Sequence, residues 1–156
     1  METAVVPPGE DTYLEQAWNL KEEIRRHSGV LKQRRRFFED AYRRATVHVI
    51  HTEEGDRMVG FAASRKGGYL LFLAVHPKYQ GEGFGRELVA GVAAEHDVVT
   101  CHARTSNEDA LSFYEALGFE TVRSIDNYYE DHGDAYFLQL GEDSTLRSRL
   151  AQLFTR

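Results

Sequence analysis

The feature that most restricts the fold of this chain is a glycine-rich segment between an apolar stretch and an amphipathic one. Residues 69–75 are nearly all apolar, as expected for a central strand. Three glycines then alternate through Gln80–Arg86, and the apolar positions of Phe84–Ala93 have helical spacing. Glycines at a strand-to-helix junction let backbone N–H groups point into one concavity, with the helix dipole behind them. The segment therefore predicts a pyrophosphate site, to which Gln80 and Arg86 add side-chain donors.

Two other kinds of phosphate loop fit the sequence less well. A nucleoside-triphosphate loop ends in Gly-Lys-Ser or Gly-Lys-Thr, whereas here Gly85 is followed by Arg86 and Glu87. A dinucleotide-binding fold carries its loop in the first strand–helix unit, whereas here several predicted elements come before the loop. A tight turn without a ligand is the remaining alternative, and the alternation of the glycines disfavours it.

The order of predicted elements indicates a mixed α/β sheet flanked by helices, because antiparallel strands come first and strands alternating with helices follow. We expect one domain over residues 1–156, with a core at about 46–140 and a flexible start over 1–11. Helices are predicted near Leu14–Ile24, Lys32–Arg44, Phe84–Ala93 and Asn107–Leu117, with an amphipathic C-terminal helix at 144–156. Strands are predicted at Val47–His51, Met58–Ser64, Tyr69–Val75, Val98–His102, Val122–Ile125 and Ala135–Leu140.

Composition narrows the classes of partner. The formal charge of −6 argues against nucleic-acid binding, and no apolar run is long enough to span a bilayer. The single cysteine, Cys101, fits a reducing cytoplasm. The histidines lack the paired spacing of a zinc site, so no metal is predicted. The oligomeric state stays open between monomer and homodimer.

Two motifs in order resemble the GNAT superfamily of N-acetyltransferases over about Thr46–Leu140. The first reads Val-x-Pro followed by Gln-x-x-Gly-x-Gly, and the second reads Ser-Asn-x-x-Ala-x-x-Phe-Tyr-Glu-x-x-Gly-Phe. The residues that carry them are Val75, Pro77, Gln80, Gly83, Gly85, Ser106, Asn107, Ala110, Phe113, Tyr114, Glu115, Gly118 and Phe119. The resemblance implies a mostly antiparallel mixed sheet with a V-shaped splay between two central parallel strands, ending near Val75 and His102.

The resemblance also implies acetyl-CoA as the co-substrate. It assigns cofactor contacts to Leu73, Ala74, Val75, Gln80, Gly81, Glu82, Gly83, Phe84, Gly85, Arg86, Asn107 and Tyr114. Among these, residues 73–75 would hold the pantetheine arm and the thioester carbonyl, while residues 80–86 cradle the pyrophosphate. Asn107 would contact the arm.

Acetyl transfer to an amine requires proton removal from the amine, a stabilised oxyanion and a protonated leaving thiolate. The resemblance assigns the oxyanion donor to the backbone N–H of Val75 and the thiolate's proton donor to Tyr114. A phenol with an ordinary pKa of about 10 stays protonated at neutral pH and can donate. Without the motif, Tyr114 would be interpreted as a core aromatic residue at helical spacing.

The base is suggested by a second, narrower resemblance. His102 and Cys101 alternate on their predicted strand, so one of them faces the cleft and the other the opposite layer. An imidazole accepts protons near neutrality, although a lone histidine on a strand is more often structural. The stretch Cys101–Asn107 resembles N-terminal protein acetyltransferases of the NatE type, in which a histidine here and a tyrosine before the glycine loop act as the base through water. The matching residues are His102 and Tyr79.

The acceptor is less constrained than the donor. Asn127-Tyr128-Tyr129 resembles the segment whose tyrosines line the peptide site in RimI-type and NatE-type enzymes, although a solvated turn fits the composition equally well. This favours a peptide or protein N-terminal α-amine as acceptor. The loop Arg26–Lys32 lacks the usual signature of those enzymes, which keeps a small-molecule amine acceptor open. Glu130, Asp131 and Asp134 would then bind the cationic amine. A non-catalytic acetyl-CoA-binding module is the third alternative.

Overall fold

The chain contains seven strands and four α-helices within residues 1–54 and 57–141, which the computed structural model describes. Their order is β1 (Glu2–Val6), α1 (Leu14–Ser28), α2 (Arg35–Arg44), β2 (Thr46–His51), β3 (Met58–Arg65), β4 (Tyr69–Val75), α3 (Phe84–Ala93), β5 (Val98–Arg104), α4 (Glu108–Leu117), β6 (Glu120–Ile125) and β7 (Ala135–Gly141). A short 3₁₀ turn spans Pro77–Tyr79. The chain divides into two compact units, one over Met1–Ala94 and one that begins at Glu95.

The structure confirms the predicted α/β class with mostly antiparallel strands. In the first unit β1, β2, β3 and β4 pair in chain order, each antiparallel to the next. In the second unit β7 pairs antiparallel with both β5 and β6. The predicted C-terminal helix at 144–156 lies outside the described residues.

The core of the first unit is centred on Phe38 of α2, which is fully buried. Its ring lies 5.6 Å from Trp18, 4.9 Å from Phe72 and 6.0 Å from Phe61. The nearby Tyr42 hydroxyl donates to the carbonyl of Thr12 at 2.5 Å. Truncating an aromatic residue in such a position costs about 3–5 kcal/mol of unfolding free energy. These contacts fix α1 and α2 against β3 and β4, and the glycine segment follows the end of β4.

The start of the chain differs from the predicted flexible segment. Glu2–Val6 forms a strand whose register pairs Val6 with Val47 of β2. Val6 is 3% exposed, so the strand gains both a backbone ladder and an apolar anchor. The acids and prolines that suggested flexibility lie on either side of this short apolar run.

The second helix begins three residues later than predicted, at Arg35 rather than Lys32. Gly29 ends α1 in a left-handed conformation, and Leu31 also has a positive φ of 57°, which a continuing helix excludes. The connecting loop is held by Lys21, a fully buried lysine of α1 whose ammonium donates to the carbonyl of Gln33. Burial lowers the pKa of Lys21, and its ammonium also lies 4.7 Å from the Trp18 ring centroid.

The second unit packs α4 on one face of β5 and β7. Asn107 caps the helix, with its Oδ1 accepting from the Ala110 N–H at 3.1 Å. Glu108 and Asp109 in the first turn suit the positive end of the helix dipole. None of the helices in the described part of the chain has the length and apolar character needed to cross a membrane.

Candidate functional site

The glycine segment forms the loop between β4 and α3 in the first unit. After the turn at Pro77–Tyr79, the Gln80 side-chain amide donates back to the Val75 carbonyl at 3.0 Å. The sequence predicted that this amide donates to a ligand. In the structure, one hydrogen bond from its NH₂ group fixes the loop to the end of β4. The loop is therefore anchored to the backbone of the strand that precedes it.

Gly83 is the position where the loop depends on glycine. It caps α3 with φ 90° and ψ 4°, a left-handed conformation that other residues rarely adopt. Gly81 has a similar φ of 82°, whereas Gly85 lies inside the first turn of α3. The first N–H groups of a helix have no partner within the helix, so those that follow Gly83 are available to an anion. Arg86 is exposed on the same first turn.

Tyr79 is half-buried at the start of this loop, with its ring between those of His76 and Phe84. The ring centroids lie 5.9 Å and 6.1 Å away, both in edge-on geometry. His76 Nδ1 accepts from the Lys78 N–H at 3.1 Å, which puts the ring proton on Nε2, and Nε2 lies 3.2 Å from the carboxylate of Glu23 in α1. The turn that carries Tyr79 is thus held from α1 as well as from β4.

The alternation along β5 decides which of two neighbours faces α4. Cys101 is buried against α4, where it is hydrogen-bonded to the Tyr114 hydroxyl, and burial raises the pKa of its thiol to about 12. Tyr114 is only 9% exposed and contacts the rings of Phe113 and Phe119 at 5.2 Å and 5.0 Å. His102 points to the other face because successive strand side chains alternate. Of the three residues predicted to handle protons, Tyr114 therefore packs on one face of β5 and His102 points to the other.

His102 is covered by Tyr128, which comes from the loop between β6 and β7. The two rings stack with centroids 4.3 Å apart and planes 13° apart, and the Tyr128 hydroxyl lies 3.3 Å from His102 Nδ1. Phe137 of β7 packs against the same imidazole at 5.0 Å. When His102 carries its proton on Nδ1, that N–H can donate to the phenol oxygen.

Tyr129 has a different environment from its neighbour. Its ring lies 4.9 Å from that of Tyr128 in perpendicular geometry, and the Arg104 guanidinium carbon lies 4.0 Å from its centroid. Burial raises the pKa of the Tyr129 phenol to about 12, so the group is neutral at physiological pH. Arg104 also donates to Asp131 at 2.9 Å. These contacts pack Tyr129 into the unit, although Asn127, Tyr128 and residues 130–132 of the same turn are exposed.

Arg104 was absent from the residues selected from the sequence. The signal that identifies it is the period of two on β5, which puts Arg104 on the same face as His102. Its partners come from a loop more than twenty residues further along the chain, and no local spacing points to them. Within the described ranges, no group of three or more histidine, cysteine and acidic residues could hold a metal ion.

Comparison with known proteins gives a consistent result. The family model described as "Acetyltransferase (GNAT) domain" matches residues 21–134. The chain is 35% identical over 102 residues to N-alpha-acetyltransferase RimI of Mycobacterium tuberculosis, covering 59% of this chain and 65% of that protein. It is also 35% identical over 88 residues to N-alpha-acetyltransferase 30 of Saccharomyces cerevisiae, covering 52% of this chain and 50% of that protein. The chain thus spans between half and two thirds of these relatives.

Solved structures agree at the level of the fold. The ribosomal-protein-S18-alanine N-acetyltransferase from Escherichia coli superposes with a TM-score of 0.72 at 24% identity, over 89% of this chain and 93% of that one. Arabidopsis thaliana Naa50, in complex with the bisubstrate analogue CoA-Ac-MVNAL, gives a TM-score of 0.65 at 24% identity, over 91% and 100%.

Proposed function

Because the chain belongs to the GNAT family of acetyltransferases, we propose that it transfers acetyl from acetyl-CoA to the N-terminal α-amine of a peptide or protein. The names of the two relatives above support this choice of acceptor. The observation that carries it is the stack of Tyr128 on His102, which combines a proton acceptor with an aromatic surface. Such a surface fits an extended peptide better than a small hydrophilic amine.

The donor half of the proposal assigns acetyl-CoA to backbone groups. The N–H groups after Gly83 and the side chain of Arg86 bind the pyrophosphate, and the backbone of Leu73–Val75 binds the pantetheine arm and the thioester carbonyl. Asn107 retains its amide N–H groups for the arm, because its cap uses only Oδ1. An electrostatic site made of backbone groups needs little reorganisation during the reaction.

In the chemical step the proton of the attacking amine passes to the base, the role that the resemblance gives to His102 and Tyr79. The new C–N bond forms as the C–S bond of the thioester breaks, and Tyr114 gives its proton to the departing thiolate. An α-amine has an ordinary pKa near 8 and a lysine amine near 10.4, so freeing the lysine amine at pH 7 costs roughly 3 kcal/mol more. A base of histidine strength is better matched to the α-amine.

The small-amine alternative has less support from the acids that would bind its substrate. Two of the three acids that could bind a cationic amine are already engaged, because Asp131 accepts from Arg104 and Asp134 accepts from the Asn127 N–H at 3.0 Å. A polyamine would have to displace these bonds. The cytoplasmic location and the monomeric or homodimeric state remain predictions of the sequence.

The test is acetylation of a panel of peptides that differ in their first two residues and contain one internal lysine, with products located by mass spectrometry. We expect acetyl on the α-amine, and the same peptides with a formylated N-terminus serve as matched controls that should stay unmodified. Spermidine and free amino acids complete the panel. Acetylation of only these small amines would favour the second candidate, and acetyl-CoA binding without transfer would favour a binding module.

A further inference from the structure

We propose that Arg104 is a positioning residue for the acceptor half of the site, holding the loop 127–134 so that Tyr128 stays on His102. The role of Arg104 in acetylation rests on the proposed function, whereas its role in keeping Tyr128 stacked on His102 does not. The loop 127–134 is defined here as the segment between β6 and β7 from Asn127 to Asp134.

The two side chains on which the loop's tyrosines lie are close together on β5. His102 and Arg104 are two residues apart on one strand, so their side chains leave the same face about 7 Å from each other. Two consecutive tyrosines of the loop lie on them, with Tyr128 on the imidazole and Tyr129 on the guanidinium. The placement of one tyrosine therefore constrains the other, because their backbones are joined.

Arg104 contacts the loop 127–134 at two residues. Nη1 donates to Asp131 Oδ1 at 2.9 Å, and the guanidinium covers the Tyr129 ring at 4.0 Å. Asp131 also accepts from the Gly133 N–H at 3.1 Å, so the same carboxylate ties the guanidinium to the loop backbone. A Cβ built on Gly133 would approach Arg104 Nη1 to 2.5 Å, so a side chain there would displace the guanidinium from this position.

The loop needs such an anchor. Asn127 and His132 both have positive φ, at 52° and 67°, conformations that non-glycine residues adopt only when the surroundings favour them. Internal bonds close the loop on itself, with Tyr129 N–H donating to the Gly133 carbonyl at 3.1 Å and His132 N–H to the Tyr129 carbonyl at 2.9 Å. Tyr128 is 42% exposed, so few contacts of its own fix its position. Its position therefore depends on how the rest of the loop is held.

The chemistry of the anchor selects arginine. A planar guanidinium stacks on a phenol ring and donates to a carboxylate at the same time, whereas an ammonium on a flexible stem does so less well. Lysine at position 104 would keep the charge and the pairing with Asp131 but weaken the contact with Tyr129. This gives a graded series from arginine through lysine to glutamine.

The experiment measures the stack directly by NMR, with ring-labelled histidine in the full chain. A ring stacked at 4.3 Å shifts the His102 proton resonances, and Tyr128→Leu gives their values without it. We expect Arg104→Gln to move them at least halfway to the Tyr128→Leu values, and Arg104→Lys to move them less. The matched control is Arg65→Gln, since Arg65 covers Tyr69 at 4.3 Å in the other unit. That variant should leave the His102 resonances unchanged.

Steady-state kinetics with the best peptide provides the second readout. We expect Arg104→Gln to raise the acceptor KM at least fivefold, with kcat lowered less than threefold and CoA affinity unchanged. His102 resonances that stay at their wild-type values in Arg104→Gln would overturn the proposal. If no peptide is acetylated, the proposed function fails while the resonances still decide the role of Arg104.

Discussion

The two halves of the candidate site are built from different parts of the chain. The loop between β4 and α3 presents backbone N–H groups, and its shape depends on Gly83 and on one side-chain bond from Gln80. The region around His102 presents side chains, held by rings and ion pairs that come from a distant loop. In the proposed function, the first binds the phosphates of acetyl-CoA and the second distinguishes between acceptors. Substitutions should therefore affect donor binding in one half and acceptor chemistry in the other.

The largest effect is expected from His102→Ala, which removes the proposed proton acceptor. General-base catalysis contributes about 10²–10⁴-fold to rate, so kcat should fall by at least about a hundredfold in a steady-state peptide assay. Affinity for CoA, measured by calorimetry, should stay within twofold of wild type. His27→Ala, at an exposed position of α1, is the matched control. A kcat within threefold of wild type in His102→Ala would contradict the assignment.

A smaller effect, on donor binding, is expected from Gly83→Ala. A left-handed conformation costs an alanine about 1–2 kcal/mol, so the loop should shift and the CoA Kd should rise by about tenfold. Gly67→Ala provides the control, because Gly67 has a φ of 93° in the turn between β3 and β4, and a Cβ there also meets nothing within 4 Å. Both variants should lose similar unfolding free energy in urea titrations. If Gly67→Ala weakens CoA binding as much as Gly83→Ala does, the effect is not specific to the loop between β4 and α3, and the assignment of donor binding to that loop is contradicted.

The smallest effect is expected from thiol modification. Burial raises the pKa of Cys101 from 9.0 to about 12, so the fraction of thiolate at pH 8 is very small and the sulfur is out of reach of reagents. The folded protein should therefore resist an aromatic disulfide reagent for hours and keep its activity, and label fully in guanidinium chloride. Rapid labelling of the folded protein would show that the layer between β5 and α4 opens.

The sequence indicates the conformation of the glycine loop more directly than the contacts around His102, for a physical reason. Glycine at position 83 is needed for a local conformation, and local requirements leave a local pattern. Most helices and strands were predicted for the same reason, from apolar spacing. The strand Glu2–Val6 was missed because its partner lies more than forty residues away, and its own pattern is too short to identify it.

The contacts of Arg104 show the same limit. The sequence predicted His102, Tyr128 and Tyr129 by resemblance, but not that the tyrosines lie on His102 and Arg104 in turn. It also left open whether Cys101 or His102 faces α4, since alternation fixes only that they differ. The buried thiol and its bond to Tyr114 resolve that choice. Contacts between residues that are distant in the sequence depend on the tertiary structure, and the spacing of residues along the chain does not identify them.

The burial of Lys21 has a consequence for a protein that would work in the presence of a reactive thioester. Lysine amines acquire acetyl groups from acetyl-CoA without a catalyst when they are deprotonated and accessible. Burial lowers the pKa of Lys21, which favours the nucleophilic form, but the same burial leaves its side chain without solvent contact. Adventitious acetylation should therefore spare Lys21 and accumulate on exposed lysines such as Lys66 and Lys78. The bond between α1 and its loop is in this way protected from self-modification.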